Sequence, residues 1–438
     1  MNLVETHIIK KGDKFYDEAD KVSFAAKNLY NYANYLVRQE FINTSKEKEE
    51  GKREFAIYKN YHVIRRELKG QADYIVLPQK VSNHVLKMLD KSWRSFFASI
   101  KGWKVNPGKY LGRPSLPNYL DKEEGRYTVS YEKGAISRKE LKNGFVKLSG
   151  TNIMIPFINK DKQLVGARIV PTSNNEYKLE IIYKEPALKP KEEGIVAGID
   201  IGVNNLIALT FGEKEITPKL ISGRPLKSMN QYYNKKKAEL QEKLSKAQPN
   251  KKKKVEVVAE NKEEDKKREP KEQKTSNAIK KLTADRNHKV DGYMHKSTSV
   301  AIDECVKNNV KELIIGKNPN WKQNCNIGKK NNQNFVFIPF TKMIKMLSYK
   351  AALVGIKVTI TEEAYTSKCS FLDLEEMCHH DKYLGKRTSR GCFKSATGKI
   401  INADINGSYN CIRKVVPEIF KQGIEGFAVN PVSLIIHK

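Results

Sequence analysis

Residues 195–203 read IVAGIDIGV and place one acid, Asp200, inside an otherwise apolar run. Such a run is the signature of a buried strand. A carboxylate within it is costly unless it is paired or holds a cation. The next apolar run, NLIALTF at 205–211, makes 195–211 a predicted strand hairpin. Beyond it come a basic helix at 223–247, a helix through 286–309, the strand KELIIG (311–316) and an amphipathic helix at 340–355. The strand IKVTITEE (356–363), a loop-rich insert at 365–398 and a closing helix at 402–416 complete the order. Hairpin, strand, helix, strand, helix predicts a ribonuclease-H-like sheet with helices on both faces. Residues 248–275 hold KKKK and alternating Lys and Glu with almost no large apolar residues, which predicts an exposed or disordered tip.

The first half has a different texture. Residues 1–20 suggest a short strand, and apolar positions at helical spacing mark 19–42 and 78–103, the latter begun by Pro78. The Pro/Gly turn NPGKYLGRPSLPNY (106–119) ends the helical part. Short alternating runs at 126–138, 145–157, 164–171 and 176–185 then predict strands that, with the N-terminal one, close a small β-barrel around an inserted helical bundle. Residues 187–194 read as a linker, so the fold class is α+β multidomain.

Lys plus Arg number 81 against 50 Asp plus Glu, a net charge of +31. A charge of that size repels itself unless a polyanion neutralises it, which points to nucleic acid as the partner. Six irregularly spaced Cys suit a reducing compartment rather than a disulfide scaffold. The first twenty residues carry charges where a signal peptide needs an apolar stretch, and the weakly charged run 194–212 contains Asp200. The expectation is a soluble, intracellular, nucleic-acid-facing protein.

Three further acids stand out. Asp404 opens the closing helix, and Glu362 with Glu363 ends the strand before the insert. Acids from separate elements meeting at one sheet edge are what a two-Mg²⁺ site needs, because hard cations take carboxylate oxygens and keep positions for water and phosphate. Side chains alternate along a strand, so only one of Glu362 and Glu363 can face the metals. The pattern does not say which. Basic residues supply the other half of such chemistry. Arg65, Arg66, Lys101, Lys104, Lys109 and Arg113 are expected to touch the phosphates of a duplex, which positions it without reading it. Lys382, Lys386, Arg387 and Arg390 are expected to steer a single strand toward the acids. Tyr30, Tyr32, Tyr35, Trp93 and Trp103 read as helix core before base-stacking platforms.

In order, GIDIGVNNLIALT, SGRPLKSMNQYYNKK, GKNPNWKQ, NNQNFVFIPFTKMIKMLSYKAALVGI, EEAYTSKCSFLDLE and INADINGSYN resemble TnpB, the RNA-guided nuclease of bacterial and archaeal insertion sequences and a relative of the compact type V CRISPR effectors. The resemblance covers about residues 195–415, and it implies a cytoplasmic, nucleoid-associated protein of a bacterium or archaeon. It implies a RuvC-type nuclease domain at 195–364, closed by 399–438 and carrying a small nucleic-acid-binding insert at 365–398. It also implies a barrel wedge domain at 1–20 and 105–190 with a helical recognition domain at 21–104. The implied activity is metal-dependent cleavage of double-stranded DNA paired to a bound guide RNA, beside a short adjacent motif, by one chain. Asp200 then matches the first catalytic Asp and Asp404 the last.

The family's middle Glu falls where this chain has Gly316 and Lys317. Either the site is dead, or Glu362 or Glu363 supplies the carboxylate, and relocation is the reading adopted. The family's two C-x-x-C knuckles each keep one Cys here, Cys369 and Cys392, with Leu372 and Ser395 in the lost places. Cys378, His379 and His380 stand nearby, but the spacing argues against zinc, and Phe371, Leu372 and Phe393 can pack instead. Cys305, Cys325 and Cys411 read as unconnected core or surface residues, and His288 and His295 as helix-packing ones. A crRNA-using CRISPR effector, a nuclease-dead guided repressor and a transposase stay open beside the TnpB reading.

Overall fold

The computed structural model describes residues 1–247, 275–317, 333, 335–389 and 391–436, in two units, Met1–Glu185 and Pro186–Lys438. Nearly all of the charged stretch 248–275, together with Cys325 and Arg390, lies outside the described residues.

The first unit runs β1 (Asn2–Ile9), α1 (Tyr16–Glu49), α2 (Tyr61–Leu68), α3 (Ala72–Ile75), α4 (Gln79–Val105), β2 (Val129–Glu132), α5 (Arg138–Lys142), β3 (Phe145–Lys147), β4 (Met154–Pro156), β5 (Gln163–Pro171) and β6 (Tyr177–Lys184). Its main sheet is antiparallel in the order β1-β6-β5-β2, with β1 and β6 in register from Asn2↔Lys184 to Ile9↔Tyr177. The expected barrel is therefore an open four-stranded sheet. Among the described residues β1 and β2 remain its edges, because the segment that was to close it spends its hydrogen bonds on a separate β3–β4 pair.

Long helices α1 and α4 pack together around Trp93, which is fully buried and donates from Nε1 to Asn34 Oδ1 at 3.0 Å. Phe41 meets the Trp93 ring edge-on at 5.5 Å. The polar side of α1 has a second task. Asn34 donates to the Pro117 carbonyl, Asn31 exchanges two bonds with Leu120, and Lys27 donates to the Lys122 carbonyl. The Pro-rich segment, which has few partners of its own, is thereby laid along the helix. Tyr30 and Trp93 are core, as read from the sequence, whereas Tyr32 and Tyr35 are 38% and 49% exposed.

The second unit runs β7 (Ile195–Asp200), β8 (Asn205–Phe211), β9 (Lys219–Ser222), α6 (Arg224–Ala247), α7 (Asn277–Lys307), β10 (Val310–Gly316), α8 (Phe340–Leu353), β11 (Lys357–Thr361), β12 (Lys386–Ser389), β13 (Cys392–Lys394), β14 (Ile400–Asn402), α9 (Ala403–Val415) and β15 (Val432–Leu434). Helix α7 begins earlier than the pattern predicts because Ser276 caps it, accepting from the Ile279 amide. The six-stranded sheet has the order β11-β10-β7-β8-β9-β15, with β10 parallel to β7 and β11, and β8 antiparallel to its neighbours. Strand β7 has sheet on both sides and its residues 196–199 are buried, which is why its sequence is continuously apolar.

Alternation splits the sheet's side chains between two cores. Ala197, Ile199 and Leu313 face Ala301, Ile302, Met343 and Leu347 of α7 and α8. Val196, Ala208 and Ile314 face Ile405, Tyr409 and Ile412 of α9. The insert forms a small antiparallel sheet, β12-β13-β14. Among the described residues no helix is long and apolar enough to cross a membrane.

Trp93→Ala removes the largest buried side chain of the first unit and takes the donor from Asn34 Oδ1. It is expected to destabilise that unit by about 3–5 kcal/mol, read as a lowered urea midpoint of the full chain by circular dichroism.

Candidate active site

Asp200 is the last residue of central strand β7, and the helix that opens with Asp404 packs against that strand end. Fully buried hydroxyls fix this contact, since Ser408 Oγ donates to the Gly198 carbonyl at 2.9 Å and bonds Thr210 Oγ1 at 2.8 Å. Gly407 completes it, because a Cβ there would stand 3.0 Å from Asp200 Oδ2. Only a glycine lets α9 approach the carboxylate so closely without crowding it.

Asp404 sits in the first turn of α9, which Asn402 caps by accepting from the Asp404 and Ile405 amides at 3.0 and 3.3 Å. An acid is favoured there by the helix dipole. Its Oδ2 accepts from Asn205 Nδ2 at 2.7 Å, so the first residue of β8 orients it.

The two glutamates part company. Glu362 is exposed, and its backbone carbonyl accepts from Lys414 Nζ at 2.9 Å. Glu363 turns inward, against Gly316 and within electrostatic reach of Asp200. Just beyond it Tyr365 adopts φ 67°, a left-handed conformation that is strained for a bulky residue. This reverses the chain into the insert. The structure thus brings Asp200, Glu363 and Asp404 together and leaves Glu362 outside.

Burial, with Glu363 and then Asp404 beside it, raises the Asp200 carboxyl well above its ordinary range, while the charge of Arg387 pulls it back. Burial likewise pushes Glu363 up, to about 7, and its interaction with Asp200 opposes that rise. Among the described residues no three His, Cys, Asp or Glu groups are gathered tightly enough to grip an ion as they stand. The donor set of carboxylate oxygens is nevertheless that of a hard divalent cation, whose charge would offset their mutual repulsion.

The insert is clipped to α9 by side chains that the sequence reading did not single out. Asn406 and Asn410 both donate to the Cys369 carbonyl, at 2.9 and 2.8 Å, and Asn410 also reaches the Thr366 carbonyl at 2.9 Å. Asn406 Oδ1 accepts from the Phe371 amide at 2.9 Å. Arg413 donates to the Glu375 carbonyl, and the Glu375 carboxylate accepts from the amides of Ser370 and Leu384. Phe371 stacks on Tyr409 with ring centroids 4.4 Å apart, and Phe393 is buried in the same core.

Cys369 is buried and donates to the Glu376 carbonyl at 3.2 Å, and Cys378 Sγ lies 3.4 Å from His380 Nε2. Cys392 stands on β13 opposite Asn402. Cys411, read as unconnected, is buried beside the carboxylates, and after burial the charges of Asp200 and Glu363 are what hold its thiol well above its ordinary range.

Lys386 and Arg387 lie exposed on β12, with Arg387 in electrostatic reach of Asp200. In the first unit Arg66, Lys101, Lys104, Lys109 and Arg113 are exposed and Arg65 is partly buried. Four of them gather at the C-terminal end of α4 and the turn after it, where Arg113 lies 6.0 Å over the Trp103 ring.

Two family models match the chain: OrfB_IS605, described as a probable transposase, over residues 177–322, and the Cas12f1-like TNB domain over 340–411. No curated protein matches it. Among solved structures it is similar to Cas12f1 in complex with sgRNA and target DNA, at 14% identity and TM-score 0.49, covering 90% of this chain and 82% of that one. It is also similar to the mini RNA-guided endonuclease Cas_phi3, at 10% identity and TM-score 0.45, covering 99% and 94%. Residues 177–322 are thus similar to the OrfB_IS605 probable transposases, and residues 340–411 to the TNB domain of Cas12f1-like proteins.

Two outcomes check this geometry. A Glu whose folded pKa is raised contributes its stability below the unfolded value and loses it as pH climbs through the folded one. With EDTA present, the melting temperature is therefore expected to fall between about pH 4.5 and about pH 7. Glu363→Gln, which mimics the protonated form, should flatten that slope. Separately, Asn406→Ala should speed hydrogen exchange of the 366–371 amides about tenfold and leave the β7–β8 amides unchanged.

Proposed function

We propose that the protein is an RNA-guided DNA endonuclease of the TnpB type, with a RuvC-type site made by Asp200, Glu363 and Asp404. The observation that carries this reading is the convergence of three carboxyls from three separate elements at one end of a central strand, close enough for Glu363 and Asp404 to raise the Asp200 carboxyl. A purely structural acid has no need of two acidic neighbours, because each raises the cost of the others.

In this reading Asp200, Glu363 and Asp404 hold Mg²⁺. When bound, the metal pair supplies activation of the attacking water and charge neutralisation at the leaving 3′ oxygen. The protein's own residues prepare the rest. Asn205 keeps the Asp404 carboxylate turned toward the site. Arg387, with Lys386 beside it, draws the phosphates of a displaced strand toward Asp200. In the first unit Arg65, Arg66, Lys101, Lys104, Lys109 and Arg113 neutralise phosphates of a guide–target duplex. The net charge of +31 supplies the long-range attraction. Base pairing with the guide reads sequence, while the protein reads duplex shape and a short adjacent motif. One site cuts the displaced and target strands in turn.

The test begins with purification of the protein with the RNA it carries from its own locus, and sequencing of that RNA. One discrete species overlapping the 3′ end of its gene supports the TnpB type, repeat–spacer RNA a CRISPR effector, and bulk degraded RNA contradicts guidance. The reconstituted complex is then given plasmid DNA matching the guide. Asp200→Ala and Glu363→Gln are expected to lower Mg²⁺-dependent cutting at least about 10³-fold with RNA binding intact. Glu362→Gln is expected to cut within about threefold of the parent. Cutting by Asp200→Ala at the parental rate would overturn the site.

A further inference from the structure

We propose that Gly316 is a positioning residue, whose missing side chain is the seat of the Glu363 carboxylate. This rests on the reading of Glu363 as an acting acid.

A Cβ built on Gly316 would stand 2.5 Å from Glu363 Cγ, 2.6 Å from Glu363 Oε1 and 3.0 Å from Cys411 Sγ. Real Cβ atoms do not approach carbon or oxygen that closely, so the glutamate occupies space that any side chain at 316 would claim. The glycine is not there for its backbone. Gly316 lies within the regular strand β10 and is absent from the positive-φ glycines. Its role is room rather than conformational freedom.

The walls of this seat do not yield. On one side the β10–β11 ladder runs in unbroken parallel register from Glu312↔Lys357 to Gly316↔Thr361. It is continued by the Lys317 amide donating to the Thr361 carbonyl at 2.8 Å. Moving Gly316 away from Glu363 would cost ladder bonds. On the other side Cys411 belongs to α9, which is held to the sheet through Ser408, Gly198 and Thr210. The atoms that a methyl at 316 meets first belong to the Glu363 side chain, so that side chain is what the methyl displaces. A shift of about 1 Å in a reacting group costs about 10²-fold in rate. Gly316 therefore decides whether the acid offered by β11 reaches the carboxylates on β7 and α9.

The deciding variant is Gly316→Ala in the full chain. It is expected to load guide RNA as the parent does, to cut plasmid about 10²-fold more slowly, and to bind Mn²⁺ alone at least about tenfold more weakly by electron paramagnetic resonance without DNA. Parental cutting and parental Mn²⁺ binding by a folded Gly316→Ala overturn the proposal. If Gly316→Ala does not fold, the double variant with Glu363→Ala, which deletes the clashing atoms, decides. Its folding supports the clash with Glu363, and its failure overturns the proposal. Glu363→Gln separates this idea from the reading beneath it. If Glu363→Gln cuts at the parental rate, Glu363 is not an acting acid. If Glu363→Gln is dead while Gly316→Ala cuts normally, the glutamate acts and the glycine does not position it.

Discussion

Three carboxyls at one end of a sheet repel one another where water is scarce, and the second unit is organised around bearing that cost. Asp200 has no freedom to withdraw, since its strand is bounded by β10 and β8 and Asp200 itself pairs with Ala208 of β8. Asp404 is kept tolerable by the N-terminus of its own helix and by the Asn205 amide. Glu363 is accommodated by holding its proton up to about pH 7. The cost is met by geometry built elsewhere in the chain, which ties residues two hundred positions apart.

That geometry depends on neutral polar groups more than on charges. Helix α9 presents Ser408 to the sheet and Asn406 with Asn410 to the insert, all fully buried. Hydroxyls and amides suit this position because each bond is short-range and directional, while a charge placed there would disturb the nearby carboxyls. The insert uses the same means. It is fastened by backbone carbonyls and amides, and by the stack of Phe371 on Tyr409, to the helix that carries Asp404.

What could be read from the chain follows from how local each signal is. Asp200 and Asp404 were legible because an acid in an apolar strand and an acid in a capped first turn each announce themselves within a few residues. The hairpin, the strand KELIIG and helix α9 were legible by periodicity alone. The pattern narrowed the middle acid to two neighbours. Both lie beyond Thr361, where β11 ends, so strand alternation no longer says which of them turns inward. Asn205, Cys411 and the Asn406–Asn410 pair were passed over because their meaning lies in partners far along the chain. An Asn beside the acid motif was the one available hint. The barrel was overread, since alternation finds strands but not which edges pair, and two of those strands prefer each other.

Asn406 is followed by Gly407, and both halves of that dipeptide serve the site, one as a clip and the other as a gap beside Asp200. In an unfolded chain an asparagine before glycine is chemically short-lived, because the unhindered backbone amide can close on the side chain and release ammonia. The helix prevents this by holding that backbone rigid. Each excursion to the unfolded state therefore exposes the clip to slow conversion into an aspartate, which would set a negative charge against the Cys369 carbonyl and the acids nearby. Heat damage in this protein should accumulate as an irreversible ageing of helix α9, even where the chain still refolds.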